Sequence, residues 1–289
     1  MFVSDNSLKS AKNYFYERLE AQFSATELKS MWTQIICMRM NWSPTDLMLH
    51  QDSRLTESDL LFVRSFVKGL LNQEPFQYLL GETSFFGLTI LCDKRALIPR
   101  PETEELVAWV SEVVEKPKLI IDLCTGTGCI ALALKSVYPG AEVVALDVSI
   151  DALALCQENA RNVGLEISTV KEDLLAVSDE FMSQRNAYDV IISNPPYIPN
   201  HEKSFMNANV LQHEPSLALF VDDSDPILFY KIITQWADQH LRQGGFLFFE
   251  LHEAYSQEVL DFMGGFSFHN VEIRRDLQGK LRMMKAQKV

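Results

Sequence analysis

Asn194-Pro195-Pro196-Tyr197 follows directly on an apolar run from Tyr188 to Ser193, and the four residue types together suit the holding of a planar –NH2 group. Two consecutive prolines remove two backbone donors and fix two φ angles, so the carbonyls of Asn194 and Pro195 stay out of any helix or sheet ladder and remain free to accept. An amide or aniline-like NH2 carries two N–H donors in one plane. The Asn194 side-chain oxygen and the Pro195 carbonyl can take one each, while the Tyr197 ring lies on the face of the group. Nitrogen held in this way presents its lone pair to an electrophile. A proline-stiffened loop after a buried strand would also contain Asn-Pro-Pro; the tyrosine and the preceding strand favour the amine site.

A second segment, some seventy residues upstream, bears on the electrophile. Lys118 to Leu123 reads as a buried parallel strand and is followed by Cys124-Thr125-Gly126-Thr127-Gly128-Cys129-Ile130-Ala131 and an apolar helix. Gly126 and Gly128 let the backbone pass close to a ligand, and Ala131 stands where a third small residue packs helix on strand. The next strand, Ala141 to Leu146, ends at Asp147, nineteen residues past Gly128, where a carboxylate accepts both hydroxyls of a ribose. Dinucleotide folds and S-adenosylmethionine folds share this device. The amine clamp after the fourth strand separates them, because a hydride-transfer enzyme has no use for it. A third strand, Glu166 to Val170, leads to Asp173 and Leu174, which are placed to accept from an adenine amine and to cover its ring; a solvated loop acid is the other reading of Asp173.

With these sites in order, the chain resembles the class I methyltransferases and, more narrowly, the HemK/PrmC family that methylates a glutamine of peptide chain release factors. Two further stretches carry the narrower resemblance: Glu74-Pro75-Phe76-Gln77-Tyr78-Leu79-Leu80-Gly81 running on to Phe85-Phe86-Gly87, and Leu97-Ile98-Pro99-Arg100-Pro101-Glu102-Thr103-Glu104-Glu105-Leu106-Val107. Adenine methyltransferases of DNA share Asn-Pro-Pro-Tyr but not these stretches. The resemblance covers roughly residues 70 to 285. It implies that Asn194 and Pro195 clamp the glutamine amide of a Gly-Gly-Gln motif, with Pro196 and Tyr197 completing the substrate site. It also implies that Cys124, Thr125, Gly126, Thr127, Gly128, Asp147, Asp173, Leu174 and Asn194 hold S-adenosylmethionine, and that Arg100-Pro101-Glu102 lies near the cofactor mouth. Two departures stand out. Cys124 occupies a position where the family usually has glycine, so it must either adopt φ < 0 or bear strain. Asp225-Pro226 replaces the usual Asp-Gly after Glu214 to Leu219, which changes the turn type.

The expected chemistry is a direct in-line displacement of the sulfonium's methyl group by the glutamine nitrogen, with Asn194, Pro195 and Tyr197 as the catalytic residues. Alternatives with the same clamp are an adenine amine of nucleic acid or a glutamine of another protein, such as a ribosomal protein. A non-catalytic binder of release factors or cofactor is a third reading, supported only by Cys124.

Charge and composition narrow the partner. Residues 1 to 98 hold 10 basic and 11 acidic residues, and residues 99 to 289 hold 16 against 28, a net −12 that argues against a duplex nucleic-acid footprint. The C-terminal basic residues Arg274, Arg275, Lys280, Arg282, Lys285 and Lys288 read as a protected edge strand with outward charges, ahead of a contact for a nucleic-acid or acidic partner. There is no apolar leader at the N-terminus and no stretch approaching eighteen apolar residues, so neither a signal peptide nor a membrane span is expected. Five cysteines without Cys-x-x-Cys fit reduced thiols in the cytoplasm. The six histidines lack metal-ligand spacing, and no metal is expected.

Alternation of strands and helices from Pro99 onward predicts an α/β fold: a doubly wound, Rossmann-like sheet with an antiparallel last strand, its ligand at the carboxyl ends of the strands. A small helical bundle precedes it. Ser24-Ala25-Thr26-Glu27 reads as a capping box with a Phe23/Leu28 staple, Thr56 to Asp59 resembles another, and Phe62, Phe66, Leu70 and Leu71 repeat at helical spacing as core. The expected division is a helical substrate-recognition domain over residues 1–82, a hairpin linker over 83–98 and a methyltransferase domain over 99–289. Gly244-Gly245 is expected to turn the chain into a fifth strand beginning at Phe246.

Overall fold

A strand carrying an apolar run that faces both ways is buried between two layers. Four such strands form the middle of the sheet: β3 (Leu119–Leu123), β4 (Glu142–Asp147), β6 (Tyr188–Ser193) and β9 (Leu241–Glu250). The computed structural model describes residues 3–178, 181 and 187–289. These form two units, Met1–Leu80 with Ala208–His213, and Gly81–Asn207 with Glu214–Val289.

In the second unit, β5 (Ser168–Lys171), β10 (Phe268–Arg275) and β11 (Leu281–Lys288) complete a seven-stranded sheet of order β10-β11-β9-β6-β3-β4-β5, while β7 (Ile198–Pro199) and β8 (Phe220–Val221) form a separate parallel pair. Pairing is parallel from β9 through β6, β3 and β4 to β5, and antiparallel from β9 to β11 and from β11 to β10. The period-2 alternation of side chains assigns residues to faces. Ile120, Val143, Ala145, Val190, Ile192 and Phe248 join the core under α6 (Pro101–Val113), α7 (Cys129–Val137) and α8 (Ile150–Val163). Ile121, Leu123, Val144, Leu146, Ile191, Leu247 and Phe249 join the opposite core. That second core is covered by helices Leu228–His240 and Ser256–Met263. Each fully buried aliphatic side chain contributes roughly 1.5–3 kcal/mol. The doubly wound α/β fold with an antiparallel end is therefore the one the sequence predicts.

Strand limits differ by more than one residue at two places. β5 begins two residues later than expected and runs to Lys171. β9 begins at Leu241, and Gly244-Gly245 lie inside it as an irregularity rather than before it: Tyr188 pairs with Leu241 but Val190 already with Phe246. Gly244 has φ +75, and a Cβ on Gly245 would lie 3.0 Å from two backbone carbonyls, so only glycines fit this bulge.

The hairpin of β1 (Glu82–Phe85) and β2 (Leu88–Leu91) belongs to the second unit. Asn159 of α8, fully buried, accepts from Leu91 N at 2.6 Å and donates to Leu91 O and Thr127 O at 3.0 Å. One side chain thus ties hairpin, helix and glycine loop together. Of the two C-terminal strands, β10 is the edge, and most basic side chains of the pair have carboxylate partners: Arg274 of β10 with Glu112 and Glu272, and, on β11, Lys285 with Glu272, Arg282 with Asp276 and Lys288 with Asp238.

The first unit is helical. α1 (Leu8–Leu19), α2 (Ala25–Met40), α3 (Pro44–Leu49), α4 (Glu57–Leu71) and α5 (Phe76–Leu80) surround Phe15, Trp32, Ile35, Val63 and Phe66. The capping boxes of Ser24/Glu27 and Thr56/Asp59 both form, and a third, Ser43/Asp46, starts α3. α9 (Ala208–His213) clusters with this unit, and His213 Nε2 lies 3.2 Å from Asn72 O. Among the described residues no helix is long and apolar enough to cross a membrane.

Candidate functional site

Parallel register brings the carboxyl ends of β3, β4 and β6 to one edge of the sheet, where Leu123 pairs with Leu146 and with Ser193. Open α/β sheets bind their ligands at this edge. Here the chain leaves β3 through Cys124 at φ +62, with Gly126 at φ +55 and Gly128 at φ +80. Of the two possibilities for Cys124, the left-handed one is realised, at a cost of roughly 1–2 kcal/mol for a residue bearing a Cβ. Gly128 is required for a second reason: a Cβ there would lie 2.5 Å from Cys156 Sγ.

Main-chain donors from this loop converge on Asp147 at the end of β4. Gly126 N–H donates to its Oδ2 and Ser149 N–H to its Oδ1, both at 2.9 Å. Burial pushes the Asp147 carboxyl up, and those amide donors hold it back. Asp122, fully buried one turn behind on β3, accepts from Thr125 Oγ1 at 2.5 Å, and burial pushes its carboxyl up to about 7. Burial, then the charges of Asp147 and Asp122, push the Cys124 thiol up, so it is inert as a nucleophile.

Asn194, the first residue beyond β6, stands across the cleft. Its Nδ2 donates to Thr103 Oγ1 at 3.3 Å; Thr103 Oγ1 donates to Glu250 Oε2 at 2.6 Å; Tyr197 OH donates to Glu250 Oε1 at 3.0 Å. Thr103 and Glu250 are both only 2% exposed. Burial pushes the Glu250 carboxyl up, against the two hydroxyl donors and the nearby charge of Arg282. Tyr230 OH donates to Glu250 O at 3.1 Å from the other core.

A cavity of about 180 Å³ lies between the two groups, and Cys124, Gly126, Asp147, Asp173, Leu174 and Asn194 are among its lining residues, together with Pro196. Seven of the sequence-nominated residues thus share one space. Thr125, Thr127 and Gly128 shape the loop from behind: Thr125 and Thr127 are buried, and Gly128 N–H donates to Thr125 O at 2.9 Å. Asp173 Oδ1 accepts from Leu175 N at 2.9 Å, and Leu174 is buried. Pro195 is buried next to Asn194. Tyr197 turns toward Glu250, with its ring edge-on to His252 at 5.8 Å. Arg100, Pro101 and Glu102 do not line the cavity among the described residues. Instead Arg100 pairs at 2.6 Å with buried Glu214, which also accepts from Ile98 N at 3.3 Å. Thr103, the next residue, is the one that reaches the site, and the sequence motif gave no sign of it. Glu250, at the end of a strand otherwise read as core, was equally unmarked. Among the described residues no group of three or more His, Cys, Asp and Glu is placed to hold a metal ion.

Comparison with known proteins places the chain among relatives. The model of the PrmC N-terminal domain matches residues 11–81, and the model of the methyltransferase small domain matches residues 103–218. A release factor glutamine methyltransferase of Flavobacterium psychrophilum is 38% identical, over 96% of this chain and 98% of that protein. Its namesake in Bacteroides thetaiotaomicron is 33% identical, over 94% and 97%. A solved methyltransferase from Pyrococcus furiosus shares the fold with a TM-score of 0.53 at 16% identity, covering 71% of this chain and 90% of that one. The chain belongs to the release factor glutamine methyltransferase family.

Proposed function

We propose that the protein transfers a methyl group from S-adenosylmethionine to the side-chain amide nitrogen of the glutamine in the Gly-Gly-Gln motif of peptide chain release factors. The observation that carries this reading is that Asn194 and Asp147 line one cavity. The names of the relatives support the substrate.

The residues present fit the cofactor. Asp147 offers remaining acceptor capacity for a ribose diol, Asp173 Oδ2 has no hydrogen-bond partner among the described residues and can accept from an adenine amine, and Leu174 supplies an apolar cover. Gly126 passes the main chain beside this space; a Cβ there would approach only Ala96, at 3.8 Å, so the loop is open on its ligand side. S-adenosylmethionine, when bound, supplies an electrophilic methyl group.

The chain's own residues act on the nitrogen. An amide nitrogen is a poor nucleophile because its lone pair is delocalised into the carbonyl. Asn194 Oδ1 and Pro195 O accept its two hydrogens, which raises electron density on nitrogen and tolerates the positive charge that grows as the new bond forms. The apolar walls formed by buried Leu174 and Pro196 and half-buried Phe229 limit water and strengthen that effect. No general base is required before transfer, since the proton can leave afterwards. The N-terminal helical unit is assigned to recognition of the release factor, on the strength of its match to the PrmC N-terminal domain.

The test is to supply methyl-labelled S-adenosylmethionine with a purified bacterial release factor and, separately, with DNA and RNA. Label in the release factor alone is the expected result. Label in nucleic acid alone would replace the glutamine with an adenine-type amine.

A further inference from the structure

We propose that Glu250 and Thr103 are positioning residues that fix the orientation of the Asn194 amide, turning its oxygen rather than its NH2 toward the substrate nitrogen. The inference rests on the function proposed above and names what makes the clamp selective for a donor group.

The argument is an accounting of protons. Thr103 Oγ1 owns one hydrogen, and its two close polar neighbours are Glu250 Oε2 at 2.6 Å and Asn194 Nδ2 at 3.3 Å. An ionised carboxylate can only accept, so while Glu250 is ionised the hydroxyl hydrogen is committed to it. The remaining Thr103 lone pair must then receive a donor, and Asn194 can provide one only with its NH2. No hydrogen bond to Asn194 Oδ1 occurs among the described residues, and Asn194 lines the cavity. The oxygen is the end of the amide left for a ligand. Were the amide reversed, two acceptors would face each other across 3.3 Å in a nearly water-free site, and the NH2 would confront a substrate NH2.

Glu250 holds the other end of the motif as well. Its second oxygen accepts from Tyr197 OH at 3.0 Å, so one buried carboxylate is tied to the first and last residues of Asn194-Pro195-Pro196-Tyr197. Glu250 is itself fixed by position as the last residue of β9, parallel to β6. Ser193 pairs with Phe249 in that register, which puts Glu250 beside Asn194. The sheet register therefore sets the direction of a hydrogen bond at the substrate.

The experiment compares Thr103→Val, which keeps the shape and removes the hydroxyl, with Thr103→Ser, which keeps the hydroxyl. Thr103→Val is expected to lower kcat by roughly 10- to 100-fold, the scale found when a group that orients a first contact is lost, with cofactor Kd unchanged by calorimetry; Thr103→Ser is expected to restore most of it. A merely structural role would shift melting temperature and cofactor affinity together and would not be rescued by serine. Thr103→Ala removes the same hydroxyl and replaces the valine variant if that one does not fold. A readout independent of turnover is the Asn194 side-chain NH2 signal in a 15N–1H spectrum, assigned by its loss in Asn194→Asp. The signal should move in Thr103→Val and stay in Thr103→Ser. A kcat unchanged in Thr103→Val, or an NH2 signal that does not move, overturns the relay. A wild-type protein that labels no glutamine would instead overturn the proposed function, and the NH2 signal alone would then decide the relay.

Discussion

At the ends of β3 and β4 the cavity-lining carboxylate is held by main chain: Gly126 and Ser149 N–H groups hold Asp147, and three positive-φ residues shape the loop. At the ends of β6 and β9 they are made by side chains: Asn194, Thr103, Glu250 and Tyr197 hold one another. The first wall suits a ligand whose binding is equally useful before and during reaction, because a ribose does not change as a methyl group leaves. The second suits a group whose charge changes, because oriented side-chain dipoles in a dry site stabilise charge as it develops. The two walls should therefore fail differently when mutated.

The largest effect is expected from Asn194→Ala, which should lose roughly 10²-fold or more in kcat, the scale of removing one preorganised polar group, while cofactor Kd by calorimetry stays the same. Normal turnover would remove the clamp from the account. Asp147→Ala should show the opposite pattern. Its cofactor Kd should weaken roughly 10- to 100-fold, as expected for about 1.5–3 kcal/mol of charge-assisted hydrogen bonding, with kcat at saturating cofactor nearly preserved. An equal fall in kcat would mean that the walls do not divide the work as described.

Asp122 sharpens the picture of the first wall. Its carboxyl rises from 3.8 to about 7 on burial, so the native state binds this proton more tightly than the unfolded chain does. Stability from this group is present at low pH and declines as pH rises between those two values. Urea midpoints of the wild type and Asp122→Asn, measured from about pH 4 to pH 8, should diverge in slope across that window; parallel curves would place Asp122 in a less buried setting. The smallest effect belongs to Cys124. Cys124→Gly should be more stable than Cys124→Ala by about 1 kcal/mol, since only glycine escapes the left-handed penalty. Equal stabilities would argue against positive φ at this residue.

The same contrast explains what could be read from the sequence. The main-chain wall is local: strand, glycines and acid follow one another within Lys118 to Asp147, and turn chemistry leaves its mark on residue types. Asn194 was legible for the same reason, since the prolines beside it announce a backbone kept out of ladders. Thr103 and Glu250 were not, because 91 residues separate Thr103 from Asn194 and 147 separate it from Glu250. No local pattern marks a threonine on an amphipathic helix or a glutamate closing a buried strand. The Gly244-Gly245 bulge was misread as a turn because glycine pairs serve both ends, and only the pairing partner across the sheet distinguishes them. The sheet class, by contrast, followed from the alternation of apolar runs and helices, which tertiary contacts reinforce rather than override.

The central claim is that the second wall holds a glutamine amide for methylation. Incubating the protein with labelled S-adenosylmethionine and a release factor, beside a release factor whose Gly-Gly-Gln glutamine is replaced by alanine, and locating the methyl group by peptide mass spectrometry tests it most directly. The account predicts one methyl group on that glutamine's side-chain nitrogen and none on the alanine-substituted factor. Methyl transfer to any other residue, or equal transfer to both factors, would contradict it.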